Sequence, residues 1–230
     1  MIATDVFRRN STNRAGIASI ALALLTAVAA MPLLASPAQA QTRASAPADP
    51  SLNVPRTAAM NRACGQGTAA DCQLAVVLGI DQARATEGVG PLHLPSDYDA
   101  LSVPAQLLVL TDLERLDRGL PDFTGLSATL DGLAEKGAIA NTDPNGPAGR
   151  TWGSNWAGGE PSALMADYDF MYNDGLGSPN VDCSRAAPNG CWGHRSNILS
   201  DYGLHPSMGA AATNVEGVTS LTELLASGSA

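Results

Sequence analysis

The sequence predicts a helix-rich α+β domain with a small sheet. Four stretches between Asp71 and Tyr172 repeat apolar residues at helical spacing, short β-leaning stretches follow toward the C-terminus, and Gly or Pro punctuates the junctions. The chain is long enough for one domain with a sizeable core once an N-terminal targeting segment is set aside.

That segment comes first. Arg8, Arg9 and Arg14 precede an apolar run over 17–34, and Ala38-Gln39-Ala40 supplies a small-residue exit, so residues 1–40 read as a secretory signal peptide cut after Ala40. Pro32 and that exit argue against a retained membrane anchor. Residues 41–62, rich in Ala, Pro, Ser and Thr without apolar periodicity, read as a flexible linker, and 63–230 as the folded domain.

The helices follow in order. In the first, Leu74, Val77, Leu78 and Ala85 fall on one face, with Asp71 placed to cap and Gly88 to stop it before Pro91. A second over 102–118 presents Val109, Leu113, Leu116 and Leu120 and closes at Gly119 and Pro121. A third over 127–136 offers Leu130, Leu133 and Ala134 and ends at Gly137; a fourth over 161–172 turns Leu164, Tyr168 and Met171 inward. Strands are expected over 208–213, 220–225 and around Trp152. The stretches 82–92 and 114–121 share an arginine-to-glycine-to-proline ending, too short and too common in helix exits to define a repeat. The cluster Glu114-Arg115 with Asp117-Arg118 reads as ion pairing on an exposed helix face.

Three of the 13 basic and one of the 22 acidic residues lie in 1–40, so the exported part carries 10 against 21, a formal charge of −11. Such a surface excludes nucleic acid and anionic membranes as natural partners. Four cysteines, Cys64, Cys72, Cys183 and Cys191, form two close pairs; export favours disulfides, and the local pairing is the best of three connectivities. A zinc site is the alternative, weakened by the lack of any Cys-x-x-Cys spacing.

The chemistry-bearing frame is Gly190-Cys191-Trp192-Gly193-His194-Arg195-Ser196-Asn197-Ile198-Leu199, which holds one of only three histidines. Gly-His-Arg-x-Asn-Ile-Leu resembles the signature of the CAP superfamily (cysteine-rich secretory, antigen 5 and pathogenesis-related), in its bacterial SCP-like extracellular form. A second match, Gly153-Ser154-Asn155-Trp156-Ala157, is similar to the family's Gly-Glu-Asn-φ-Ala strand with Ser154 in place of the glutamate. The resemblance implies an α/β/α sandwich with a small antiparallel sheet between helical layers, and a cleft commonly lined by two histidines and two acidic residues. His194 matches the second histidine, Asn141 stands where the first belongs, and Asp174 or Asp169 is the acidic counterpart.

One imidazole with an asparagine, a serine and an aspartate is a poor ligand set, so no metal and no other cofactor is expected. The segment Asn141-x-Asp143-x-Asn145-Gly146 fails the calcium-loop pattern, because Trp152 holds its twelfth position. The first functional reading is a secreted, non-enzymatic extracellular binding or interaction module. Its cleft would be bounded by His194, Asn141, Ser154, Asn155, Trp156 and Trp192, with a lipid, a glycan or an extracellular protein as partner and no transmembrane anchor after signal cleavage. The alternative is a secreted hydrolase using Ser154 as nucleophile with His194 and Asp174, although Ser154 lies in no Gly-x-Ser-x-Gly elbow.

Overall fold

The computed structural model describes residues 49–228 apart from Ser51. The stretch read as a signal peptide, residues 1–40, lies outside the described residues.

Part of the segment expected to be a linker is built into the domain. Helix α1 (Ala58–Gln66) starts inside it, capped by Thr57, whose Oγ1 accepts from the Met60 amide, and Met60 is buried. Upstream, the Val54 amide donates to the Tyr172 carbonyl and Arg56 pairs with Asp169 and Glu160. Single anchoring residues hold this strap, so no periodic pattern betrayed it.

Helix α2 (Ala69–Thr86) is capped by Thr68, with Asp71 as the reciprocal member of a capping box three residues on. Its inward face is Val76, Ile80, Ala83 and Arg84, whereas Leu74 and Leu78 are exposed at 62% and 51%. Apolar residues surround this helix, and a buried arginine decides which stripe turns in. A Cβ on Gly79 would come within 2.6 Å of the Met60 sulfur, so α1 lies directly against α2 there. Cys64–Cys72 ties the two helices together.

Helix α3 (Val103–Leu116) likewise buries Leu107, Leu110, Thr111, Glu114 and Arg115, while Leu116 is exposed. The cluster expected on a solvated face is an internal ion network. Arg84 pairs with Glu114 (3.1 Å) and Asp117; Arg118 joins Glu114 to Glu87; the Tyr172 hydroxyl lies 2.8 Å from both Glu114 oxygens. Charges that deep are tolerated only when each is answered by a partner.

The similar endings of α2 and α3 fold alike. Arg84 Nε donates to the Gly90 carbonyl and Asp81 accepts from the Leu92 amide; Arg115 Nε donates to the Pro121 carbonyl and Asp112 accepts from the Phe123 amide. Each arginine carbonyl also accepts from the residue five further on, Val89 or Leu120. Both helix exits are therefore clamped by one aspartate and one arginine three residues apart.

Helix α4 (Ala128–Ala140), strand β1 (Trp152–Gly158), helices α5 (Ala163–Met171) and α6 (Gly193–Leu199), and strands β2 (Ser207–Val215) and β3 (Val218–Ala226) complete the domain. The sheet is antiparallel in the order β1-β3-β2. Glu216 and Gly217, both at positive φ, turn β2 into β3, the conformation that suits a two-residue hairpin. Strand alternation separates two layers. Leu224 and Ala226 meet Leu130, Ala134 and Ala138 of α4, and Leu221, Glu223 and Leu225 face the core formed with α2, α3 and α5. The architecture is thus an α/β/α sandwich, with two local disulfides, Cys64–Cys72 and Cys183–Cys191.

Candidate functional site

The site is built where the edge strand β1 meets α5 and α6. Helix α6 is only two turns long and lacks a side-chain cap of its own. Asp174, just beyond α5 and fully buried, caps it from a distance: one oxygen accepts from the His194 amide (2.9 Å) and the Arg195 amide (3.3 Å). The other oxygen accepts from His194 Nδ1 at 2.8 Å and from Asn180 Nδ2 at 2.6 Å. One carboxylate thereby sets both the start of the helix and the orientation of the imidazole.

The rest of the motif is anchorage. Arg195 runs inward to Glu87, with bonds of 3.0 and 2.8 Å, and to the Met171 carbonyl, joining α6 to the ion network. Asn197 donates to the Ser154 carbonyl and to Asn155 Oδ1, while Asn155 donates to the His194 carbonyl and to Glu223. This lattice of amides locks α6 across β1 and β3.

Beside His194 opens a cavity of about 200 Å³. Phe170 and Trp156 are among its lining residues; the Phe170 ring centroid lies 5.1 Å from that of the imidazole, while the Trp156 indole, on the face of β1 that Ser154 shares, donates Nε1–H to Ser220 Oγ. Five acidic residues are among those lining it: Asp143, Glu160, Asp169, Asp174 and Asp182. The Asp143 carboxylate stands 4.0 Å from His194 Nε2, the nitrogen turned away from Asp174. The oxygens Asp143 Oδ1 and Glu160 Oε2 are buried without a hydrogen-bond partner.

The electrostatics follow from this crowding. Burial works against a charged imidazole, but the hydrogen bond and charge of Asp174, helped by Asp143 and Glu223, raise the His194 pKa above its ordinary value. Burial, then the neighbouring Asp169, push Glu160 up to about 7 against the pull of Arg56. Burial, with Asp182 and Asp174 adding repulsion, raises Asp143 despite the attraction of His194. Deep under the site, burial pushes Glu223 up to about 7 although Asn155 and Thr111 bond it.

No protein-family model, curated protein or solved structure matches the chain.

Of the residues singled out from sequence, His194, Asp174 and Trp156 come together on the cavity, and Asp169 lines it while paired with Arg56. The others do not join them. Asn141 is the exposed left-handed cap of α4, and Asp143, two residues on, occupies the cleft instead. Ser154 pairs across the sheet with Leu224 and shares its face toward α4, whereas Asn155 and Glu223 face the α6 side. Strand alternation thus sets Ser154 and His194 on opposite faces, and the Ser154–His194–Asp174 triad does not assemble. Asn155 is a buried brace, and the Trp192 ring lies over Gly175, where a Cβ would come within 2.4 Å of it.

Glu160, Phe170 and Asp182 enter the cleft from loops and helix ends that carry no motif. Only the acidity of 160–182 hinted at them. Asp182 immediately precedes the loop that Cys183–Cys191 closes, and Asn180 Nδ2 donates to the Gly190 carbonyl within that loop. Among the described residues, no three His, Cys, Asp or Glu side chains converge as a metal-ligand group.

Proposed function

We propose that the chain is an exported CAP-like protein of the SCP-like extracellular kind, serving as a binding module whose ligand sits in the cleft beside His194. The family reading is supported by the Gly193–Leu199 frame, in which histidine, arginine and asparagine each have a distinct task at one wall of that cleft. The observation that carries the binding role is the partly enclosed cavity itself. A buried aspartate holds the imidazole from behind, the Phe170 ring flanks it, and four further acidic residues line the cavity. Export is supported by the basic and apolar leader and by two disulfides; no helix among the described residues is long and apolar enough to cross a membrane.

The test is native mass spectrometry of the protein recovered from an oxidising compartment, coupled to NMR screening of small fragments against the Trp156 indole signal. We expect an N-terminus at Gln41 and fragments that perturb Trp156 and His194 together. An intact leader on the exported protein would refute the localisation, and a cleft that no fragment perturbs would refute the binding role.

A further inference from the structure

Beneath the cleft, the charged side chains sort into one balanced set and two left over. Asp117, Arg84, Glu114, Arg118, Glu87 and Arg195 form a single alternating file of ion pairs, three carboxylates against three guanidiniums. Asp167 of α5 and Glu223 of β3 are buried beside it, yet among the described residues neither forms an ion pair. Asp167 Oδ2 and the buried Tyr98 hydroxyl both lack a hydrogen-bond partner, and Glu223 has only the Asn155 amide and the Thr111 hydroxyl, the latter 3.0 Å away. Asp167 is faced by Arg84 from α2, by Glu114 and Arg118 from α3, by Tyr98, and by Tyr172 beyond its own helix. Glu223 is faced by Asp167, by His194 and by Tyr202. The cations among these already have carboxylate partners, the arginines within the file and His194 on Asp174. A carboxylate with neither a cation nor a full set of donors is unstable so far from water, so both groups belong to the fold as neutral acids. Burial, then the charges of Glu114 and Glu223, push Asp167 well above its ordinary value, and burial pushes Glu223 up to about 7.

We propose that Asp167 and Glu223 form a proton-operated latch on α6, closed while both are protonated and released when the pair ionises as pH rises. The latch needs no ligand in the cleft. The Asn155 amide donates both to Glu223 and to the His194 carbonyl, and its oxygen accepts from Asn197, so Glu223 anchors the amide lattice that pins α6 to β1 and β3. A threonine hydroxyl accepts as well as donates, which lets Thr111 take the proton of a neutral Glu223. Asp167 lies on α5, the helix that also places Phe170 beside the imidazole and leads to Asp174 at the start of α6. Like charges facing each other from α5 and β3 in a poorly polarisable interior repel, and they push apart the two elements between which α6 is held. Because both acids are raised, the latch is whole below the ordinary glutamate value of 4.5 and weakens as pH rises through about 7 for Glu223, with Asp167 adding a loss of the same sign.

The experiment follows the disulfide-bonded protein by NMR from about pH 4.5 to about pH 8, reading side-chain carboxyl carbons and the hydrogen exchange of backbone amides. The Asp167 and Glu223 carbons are expected to hold their protonated positions past about pH 5, where exposed carboxyl groups have ionised. At about pH 8 the amides of Ser196 to Leu199 should exchange about tenfold faster in the parent than in the double variant Asp167→Asn with Glu223→Gln, and at about pH 4.5 the two should match. Helix α1 is the control, its amides exchanging alike in both proteins. Glu223→Gln alone keeps the shape of the side chain and the bond from Asn155; it should give part of the same protection, and it carries the comparison if circular dichroism shows the double variant unfolded. Either acid titrating with the exposed carboxyl groups would overturn the latch. So would equal α6 exchange in parent and variants at about pH 8, or an α1 that opens as much as α6. Fragment binding at the cleft, present or absent, bears only on the binding role, so the two readings fail separately.

Discussion

At the scale of single residues, the deciding fact is that Asp174 and Glu223 are carboxyl groups held out of water for different reasons. Asp174 answers four donors, so its replacement by asparagine should release the start of α6 and cost about 2–3 kcal/mol. The same change should bring the midpoint of His194 in an NMR titration down toward its ordinary value, since Asp174 supplies the main attraction that raises it. Because that midpoint is raised, the stability from the pair is complete below the unfolded histidine value and fades as pH rises through the folded one. Glu223 is a buried acid pushed from 4.5 up to about 7, so the folded chain keeps a proton that the unfolded chain loses earlier. Stability should then decline by roughly 3 kcal/mol between about pH 4.5 and 7 on its account. Urea melts of Glu223→Gln at pH 5 and pH 8 should differ less than those of the parent by about that amount, and equal differences would refute the assignment.

At the scale of elements, two glycines of the α4 layer predict opposite outcomes. Helix α4 lies so close to β2 that a Cβ on Gly209 would fall 2.2 Å from the Leu130 carbonyl carbon, whereas one on Gly132, within α4, would meet nothing within 4 Å. Gly209→Ala should therefore push helix and sheet apart at a cost of about 2–3 kcal/mol, and Gly132→Ala should stabilise the helix by about 0.5–1 kcal/mol. Paired thermal melts check both signs. The twin exits of α2 and α3 belong to this scale as well. Their aspartates and arginines hold the chain past each helix end; the shared Arg-to-Gly ending was visible in the sequence, but the matching hydrogen bonds were not.

At the scale of the whole molecule, the two disulfides look equivalent in spacing and differ in what they restrain. Cys64–Cys72 joins α1 to α2, while Cys183–Cys191 closes the loop that follows the cleft residue Asp182 and whose Gly190 carbonyl accepts from Asn180. Replacing either pair by serines should lower stability by about 2–3 kcal/mol in denaturant. Only loss of the second is expected to shift the Trp156 indole resonance, because it alone borders the cavity. Cores and sites were legible to different depths. The α+β class, the approximate positions of β2 and β3, the local cysteine pairing and the weight of the His194 frame followed from residue type, spacing and scarcity, all of which act over a few neighbours. The inward faces of α2 and α3 did not, since buried Arg84, Glu114 and Arg115 turn inward on partners far along the chain that no local pattern records. Nor did the placement of Asn141, Ser154 and Asp143, where one residue of register exchanges the two faces of a strand or moves a side chain from cleft to solvent. Local sequence thus determined which elements form and where they begin and end. Tertiary structure alone decided which charges are buried and which carboxylates meet at the cleft, because desolvation and pairing depend on distances between residues the sequence holds far apart.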